Sequence, residues 1–273
     1  MIYEDRNLSR QLTPNLRRVL VLDSHQPSAR LLGELLRDLG ANEIYSEPTN
    51  VLALAALRKI DPQVILTEMS GPGLDGLQFM RSLRRSELPC RYAPVIVVTA
   101  EATAAAILGA RNAGAHEFLR KPYTIRDLMR RLDASTLRPR DWIEAMNYVG
   151  PDRRRFNSGD YSGPRKRLAD QKPMPAGERV LQALKILRSA ILAMEKDPAQ
   201  ALRSMRAQAN DLQKAAMTTS NSRLDEAVTV FQRRLASATA QTLSRNEIES
   251  GAAALWAFLP AEAEGLPPAR AVA

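Results

Sequence analysis

Two hydrophobic patterns divide the chain. In residues 16–136, short unbroken apolar runs alternate with segments of helical period, whereas residues 176–259 show helical periodicity alone. Apolar runs without polar alternation are typical of strands that are buried on both faces of a parallel sheet. Such runs occur at 19–22, 64–66, 95–98 and 117–119. The alternation predicts an α/β fold, a doubly wound parallel sheet with helices on both faces.

The remaining segments carry apolar residues three or four positions apart, which indicates helices with one buried face. In the first region the predicted inward residues are Leu31, Leu32, Leu35, Leu36, Leu39, Leu52, Leu54, Ala55, Leu57, Leu77, Met80, Leu83, Ile125, Leu128, Met129 and Leu132. In the C-terminal region they are Val180, Leu184, Leu187, Ile191, Leu202, Met205, Ala209, Leu212, Leu224, Val228, Phe231, Leu235, Ile248, Leu255, Trp256 and Leu259. The second set predicts three or four antiparallel helices in a small bundle. Asp197-Pro198 and residues 218–221 separate these helices, and the latter offer N-cap side chains.

Composition restricts the classes of protein that remain. The single cysteine, Cys90, excludes an intramolecular disulfide and a cysteine-cluster zinc site, and the two histidines offer few further metal ligands. The first 18 residues contain no signal-peptide core, and no apolar stretch is long enough to span a bilayer. A cytoplasmic protein is therefore expected. No Ser/His/Asp, Cys/His or paired-carboxylate arrangement is present in the helical part, and we expect no enzymatic activity.

Positive charge is concentrated in one short segment. The chain carries 39 Lys and Arg against 30 Asp and Glu, a net charge of +9. Residues 137–172 alone hold 9 basic and 5 acidic side chains, together with frequent proline and glycine. This composition predicts a basic linker rather than a regular element. The predicted organisation is an N-terminal tail (1–15), the α/β domain (16–136), the linker (137–172), a helical module (173–260) and a flexible tail (261–273).

Polar side chains follow the predicted strands. They are Asp23 and Ser24 after the run at 19–22, Glu68 after the run at 64–66, Thr99 after the run at 95–98 and Lys121 after the run at 117–119. The carboxyl ends of parallel strands meet at one edge of a sheet, so these groups are expected to converge. Carboxylates hold hard cations, while lysine and hydroxyl groups hold phosphoryl oxygens. The sequence therefore predicts a pocket suited to phosphate or to a metal ion.

The order of these motifs resembles the receiver domain of two-component response regulators, the CheY-like fold. The resemblance rests on VLVLD at 19–23, Pro72 with the Asp75-Gly76 turn, VVTA at 97–100 and KPY at 121–123. It implies a flavodoxin-like (βα)5 sheet and switch positions at Thr99 and Phe118. It also implies that Lys121 stands at the position of the family's pocket lysine. It also implies a place for the chain in phosphorelay signalling.

Two positions depart from the family pattern. The family places a phosphoacceptor aspartate seven residues before the turn, where this chain has Glu68, and the usual acid pair is reduced to Asp23 with Ser24. The longer glutamate displaces its carboxylate, and the lost acid leaves Mg²⁺ at most weakly bound through Asp23. We hypothesise that Glu68 reaches Lys121 and fixes the domain in one state without phosphorylation. The alternatives are a relic pocket with a structural ion pair and an orthodox phosphorelay component.

A short repeat lies inside the basic linker. Each copy places a tyrosine two residues before Gly-Pro and cations just after it, at 148–155 and 161–167. Interleaved guanidinium groups and rings suit purines, through stacking and bidentate donation to guanine. The segment is similar to the arginine-rich segment of Cle-type receivers, which implies that it binds cyclic-di-GMP. The matching residues are Tyr148, Asp152, Arg153, Arg154, Arg155, Arg165, Lys166 and Arg167. Arg165 stands where the first copy has Asp152, so the second half-site departs from the pattern.

Other interpretations of the two C-terminal regions stay open. The linker is alternatively a solvated charge run, a non-specific contact for nucleic acid or anionic lipid, or a docking segment for an acidic protein. The helical module is predicted to bind an unidentified signalling protein. A DNA-binding regulator is the alternative, but the cations of residues 173–273 are spread over all the helices, which does not favour long nucleic acid.

Overall fold

A computed structural model describes residues 3–153 and 175–259 and separates them into two compact units. Of the described residues, the first unit takes 3–143 and 148–153, and the second takes 144–147 and 175–259.

The first unit is built on a five-stranded sheet in which every neighbouring pair is parallel, in the order β2-β1-β3-β6-β7. Its strands are β1 (Arg18–Leu22), β2 (Glu43–Glu47), β3 (Val64–Thr67), β6 (Val95–Thr99) and β7 (Glu117–Arg120), and Ser70–Gly71 (β4) and Leu74–Asp75 (β5) form a small separate pair. Its helices are α1 (Tyr3–Leu12), α2 (Gln26–Asp38), α3 (Asn50–Ile60), α4 (Gly76–Arg85), α5 (Ala104–Asn112) and α6 (Ile125–Leu132). The predicted flavodoxin-like sheet is confirmed.

Alternate residues of each central strand enter different cores, which is why the strands are apolar throughout. Leu20, Ile65 and Val97 face one core, whereas Val21, Leu66 and Ile96 face the other. Helices α3, α4 and α5 cover the first core, and α1, α2 and α6 cover the second. The edge strand β2 has no apolar run, because only part of it is shielded from solvent.

The inward face of α3 differs from the prediction. Leu52 and Leu54 are exposed, and the buried residues are Ala53, Leu57 and Ile60. Thr49 caps the helix by accepting from the Leu52 amide, which fixes the rotational phase of the first turn. This helix has more apolar residues than one face can bury. Leu31 of α2 is exposed for the same reason.

The N-terminal segment is not the tail that the sequence predicts. It forms α1, followed by a short 3-10 turn at Thr13–Asn15, and Leu12 and Leu16 are fully buried. Leu8 packs against the same core. Leu8 and Leu12 are four residues apart on one face of α1, and Leu16 enters the same core after the turn, so their burial stabilises an element that is polar elsewhere.

The first part of the predicted linker is also folded. Trp142–Glu144 (β8) pairs with Val149–Pro151 (β9), and residues 137–143 and 148–153 belong to the first unit. Val149 is 5% exposed. The proline and glycine residues of this stretch therefore support a specific turn, and the first compact unit continues beyond the boundary predicted at residue 136.

The second unit is a bundle of four α-helices among the residues described: α7 (Ala176–Ala193), α8 (Pro198–Thr219), α9 (Ser222–Ser237) and α10 (Arg245–Ala252), followed by a 3-10 segment (Ala253–Phe258). The predicted apolar faces form one core, with Val180, Trp256 and Leu259 at its margin. Asp197 and Asn221 cap α8 and α9 through their side chains. None of the described helices combines the length and the apolar character needed to cross a membrane.

The bundle also holds the tetrapeptide 144–147. The main-chain oxygen of Glu144 accepts from Ser204 Oγ at 3.0 Å and from Gln208 Nε2 at 3.1 Å. Gln200 Nε2 donates to the Glu144 carboxylate at 3.1 Å. These three residues are four positions apart and form one buried polar stripe on α8. Residues 144–147 are therefore an integral part of the second unit.

Candidate functional site

The predicted strand-end residues converge at the carboxyl edge of the sheet. Asp23 directly follows β1, Glu68 follows β3 and Lys121 follows β7, while Thr99 is the last residue of β6. The parallel registers pair Leu22 with Thr67 and Thr99 with Arg120, so these strands end at the same level. The sheet itself thus delivers the four side chains to one pocket.

A lysine clamp closes this pocket. Lys121 Nζ donates to Asp23 Oδ2 at 3.1 Å and to Glu68 Oε2 in a short contact. The remaining carboxylate oxygens accept from backbone amides, Asp23 Oδ1 from His25 at 2.8 Å and Glu68 Oε1 from Met69 at 3.0 Å. Burial lowers the pKa of Lys121, but the hydrogen bonds and charges of Glu68 and Asp23 outweigh it, so the pKa is raised above its ordinary value. The ammonium group is therefore charged at neutral pH.

The donor set of this pocket does not fit Mg²⁺, which the receiver fold implies. Both oxygens of Asp23 and both oxygens of Glu68 accept hydrogen bonds from the chain's own donors. The second acid of the usual pair is Ser24, which cannot supply a charge. No group of three or more His, Cys, Asp or Glu placed to hold a metal ion occurs among the described residues. A hard cation would have to displace the lysine from both carboxylates.

The other predicted pocket residues have structural partners. Thr99 Oγ1 accepts from the Glu101 amide at 3.2 Å, and Phe118 is buried in the core. Ser24 lies against Gly71, where an added Cβ would come within 2.1 Å of the serine Oγ. A Cβ at Gly76 would come within 2.2 Å of the Glu68 carbonyl oxygen, which explains the glycine of the Asp75-Gly76 turn.

At the opposite, amino edge of the sheet lies a second cluster of chemistry-bearing residues. Its centre is Arg84 on α4, which is 1% exposed. The guanidinium donates to the carbonyl oxygens of Gly114 (2.8 and 3.0 Å), Ala93 (2.9 Å) and Arg91. Burial lowers its pKa to about 9. The hydrophobic period on α4 places this arginine beside Met80 and Leu83 on the buried face, and that placement is the signal that could have found it.

Histidine and glutamate complete the amino-edge cluster. His116 Nδ1 accepts from the Val95 amide at 3.2 Å and lies 3.3 Å from Arg84 Nη2. Burial, with the charges of Arg84 and Arg140, holds the pKa of His116 well below its usual range, so the ring is neutral. Burial raises the pKa of Glu117, although its ion pairs with Arg140 and with Arg131 (3.2 Å) oppose the change.

Arg140 and Trp142 of the basic segment contact this cluster. The Trp142 ring lies 5.3 Å from the Arg84 guanidinium carbon and 4.8 Å from the Tyr92 ring in an edge-on arrangement. Arg140 Nη1 donates to the His116 carbonyl oxygen at 2.8 Å. Such cation–π and charge-assisted contacts add specificity to apolar burial. The segment is thus attached to the amino edge, away from the lysine clamp.

Of the predicted nucleotide-binding residues, the structure describes three. Tyr148 is 6% exposed and donates to the Pro151 carbonyl oxygen at 2.6 Å, so the prediction of an accessible stacking ring is wrong at this position. The Asp152 amide donates to the Asp141 carbonyl oxygen at 2.8 Å, and Arg153 is exposed. The other predicted residues lie outside the described part of the chain: Arg154, Arg155, Arg165, Lys166 and Arg167.

Fold, strand order and the lysine-bearing pocket define a receiver domain, and comparisons with known proteins agree. The response regulator receiver domain family matches residues 19–133. The chemotaxis protein CheY-3 of Vibrio cholerae is 32% identical over 116 residues, which cover 42% of this chain and 88% of that protein. The chemotaxis protein CheY of Pseudomonas aeruginosa is 29% identical over 116 residues, or 42% of this chain and 93% of that protein.

Through these residues the chain belongs to the response regulator receiver family. Among solved structures, Vibrio cholerae chemotaxis protein CheY4 aligns with 44% of this chain and 98% of its own, at 22% identity and a TM-score of 0.41. The matches describe the receiver, and the basic segment and the helical unit lie beyond residue 133.

Proposed function

We propose that this protein is a non-enzymatic signalling receiver that works without phosphorylation and responds to an anion bound by its arginine-rich segment. The observation that carries the first part is the lysine clamp. Lys121 joins Asp23 to Glu68, and all four carboxylate oxygens already accept hydrogen bonds. A glutamate held in this way keeps a negative charge beside the lysine permanently, in place of a phosphoryl group that comes and goes.

The proposed ligand of the basic segment is cyclic-di-GMP. Support comes from the repeat at 148–155 and 161–167, because two similar half-motifs suit a ligand with two equivalent halves. Arg153 adds a second argument, since this residue is exposed although residues 148–151 just before it are buried. Guanidinium groups stack on purines and donate bidentately to guanine. Ligand binding would then alter the binding of an unidentified partner protein by the helical unit.

Phosphorylation tests the first part of the proposal. Wild-type protein is treated with radiolabelled acetyl phosphate, with a receiver domain that carries aspartate at the phosphoacceptor position as the positive control. No label is expected on the wild type, because Glu68 is displaced and its oxygens are taken. Glu68→Asp shortens the side chain by one methylene and should permit weak labelling, which Glu68→Gln should not. Stable label at this pocket in the wild type would support the orthodox phosphorelay component instead.

Calorimetric titration with cyclic-di-GMP tests the second part. Wild type is expected to bind, and a double variant, Arg153→Ala with Arg154→Ala, should bind at least about tenfold more weakly, because each lost charged hydrogen bond costs on the order of 1.5–3 kcal/mol. The matched control, Arg58→Ala with Lys59→Ala, removes the same charge from the exposed end of α3 and should leave affinity unchanged. No heat from wild type at tens of micromolar protein would reject this ligand.

A further inference from the structure

One exposed arginine of the basic segment is held in a fixed position. The Arg153 guanidinium carbon lies 4.5 Å from the centre of the Tyr148 ring, and its Nη1 donates to Asn112 Oδ1 at 3.0 Å. An exposed arginine normally samples many rotamers, and ordering one costs about 2 kcal/mol of side-chain entropy. These two contacts already restrict Arg153 in the free protein.

The platform under Arg153 is itself rigid. Tyr148 is buried and hydrogen-bonded to Pro151, and burial raises its pKa to about 12, so the phenol keeps its proton. Gly150 has φ +155°, and a Cβ there would lie 2.8 Å from Tyr148 Oη and 3.0 Å from Gly114 Cα. Only glycine permits this close approach. The ring face offered to Arg153 therefore has one orientation.

Asn112 supplies the second restraint from a different element. It is the last residue of α5, and Gly114 ends the turn that follows with φ +97°. Helix α5 is anchored in the core through Ala106 and Ala110. An amide oxygen at this place is fixed by the helix, whereas the arginine that it binds comes from the basic segment. The contact between Asn112 and Arg153 therefore links the end of α5 to the basic segment at the surface.

We propose that Asn112 is a positioning residue that preforms one half of the ligand site by holding Arg153 over the Tyr148 ring. The inference rests on the proposed function. Nη1 is the only guanidinium nitrogen that Asn112 engages, so the other N–H groups of this exposed side chain are available to a planar guanine base or a phosphate oxygen. Binding then gains affinity because the entropy of ordering Arg153 has already been lost.

The test compares cyclic-di-GMP binding by Asn112→Ala, Asn112→Gln and wild type in calorimetry. Asn112→Ala should weaken binding by about threefold to tenfold, through a less favourable entropy, because the released arginine must be ordered by the ligand. Asn112→Gln keeps an amide oxygen and should recover most of the affinity. The thermal midpoint should stay within about 2 °C of wild type for both, since residue 112 is exposed.

Asn42→Ala, at another exposed asparagine of the same unit, is the matched control and should bind as wild type does. Equal or tighter binding by Asn112→Ala would overturn the inference, because a contact that merely sequesters Arg153 competes with the ligand. Absence of binding by wild type would instead overturn the proposed ligand, and the inference with it. The two failures are therefore distinguished by the wild-type titration alone.

Discussion

Replacing Arg84 by methionine tests the amino-edge cluster most directly. Methionine has a similar length and keeps the apolar contacts of the side chain, but it removes every donor. The carbonyl oxygens of Gly114, Ala93 and Arg91 would then lose a hydrogen bond inside the protein. The stacking of the guanidinium on Trp142 would also be lost.

The expected loss follows from counting these partners. A buried carbonyl left without its donor costs about 1–3 kcal/mol, so three of them cost at least about 3 kcal/mol. The lost cation–π contact adds about 1 kcal/mol. Removing a buried charge offsets part of this sum, because burial already lowers the pKa of Arg84 to about 9 and so disfavours the cation. We expect a net decrease of about 3 kcal/mol in the free energy of unfolding of the first unit.

Urea unfolding followed by tryptophan fluorescence measures this change. The chain has two tryptophans, Trp142 in the first unit and Trp256 in the second, so the experiment is done in a Trp256→Phe background. With an m-value of about 2 kcal/mol/M, the midpoint should fall by about 1.5 M. Trp142 also lies on the guanidinium and reports loss of the local contact through its emission maximum.

Arg81→Met is the matched control, because it makes the same chemical change at an exposed position one turn earlier on α4. Its midpoint should shift by less than about 0.3 M. If Arg84→Met and Arg81→Met unfold within about 0.5 kcal/mol of each other, the buried guanidinium does not anchor the segment, and the assignment of residues 137–143 and 148–153 to the receiver loses its main energetic support.

Three further results are expected. Because the pKa of His116 is depressed in the folded state, the unfolded chain binds one more proton than the folded chain at low pH. The free energy of unfolding should therefore fall by up to about 1.4 kcal/mol per pH unit as the pH drops below about 6.5. This slope, measured from urea midpoints, should vanish in His116→Asn and persist in His25→Asn. Cys90 is buried and burial raises its pKa to about 11, so an aromatic disulfide reagent should label it only after urea unfolding, and fast labelling of native protein would contradict this. Ser204→Val removes a donor to the buried Glu144 carbonyl and should destabilise the helical unit by about 1–3 kcal/mol, detected through Trp256 fluorescence, whereas the same change at exposed Ser222 should not.

The sheet was predictable because its signal is local. Central strands such as β1 and β6 are buried on both faces, so every residue in them is apolar and the run stands out. The edge strand β2 lacks this signal, and α1 carries only two leucines, Leu8 and Leu12, in a polar sequence. The phase of α3 was missed because its surplus leucines hide which face is inward. In β2, α1 and α3 the buried face is set by contacts with distant parts of the chain, which the local sequence pattern does not show.

The lysine clamp was predictable from motif spacing, since strand ends of a parallel sheet meet at one edge. The amino-edge cluster was not, because its polar partners are main-chain carbonyls, which leave no mark on the sequence. A charge-rich, glycine- and proline-rich segment indicates a linker by composition. The conformation at Gly150 depends on its close approach to Gly114, and these two glycines lie 36 positions apart in the chain.

The two clusters lie at opposite ends of the same helices, and this bears on how the receiver works. Helix α4 begins beside Glu68, where Asp75 caps it, and ends at the Arg84 cluster, while α5 ends at Asn112 under Arg153. A ligand or a modification can switch a receiver only through interactions that differ between its two states. Here the clamp satisfies every carboxylate oxygen in the absence of any ligand. Under the proposed function the carboxyl edge is therefore not the switch, and a ligand would bias the domain through a group that its own contacts leave exposed. Arg153 is such a group, and it lies in the first unit shortly after β9.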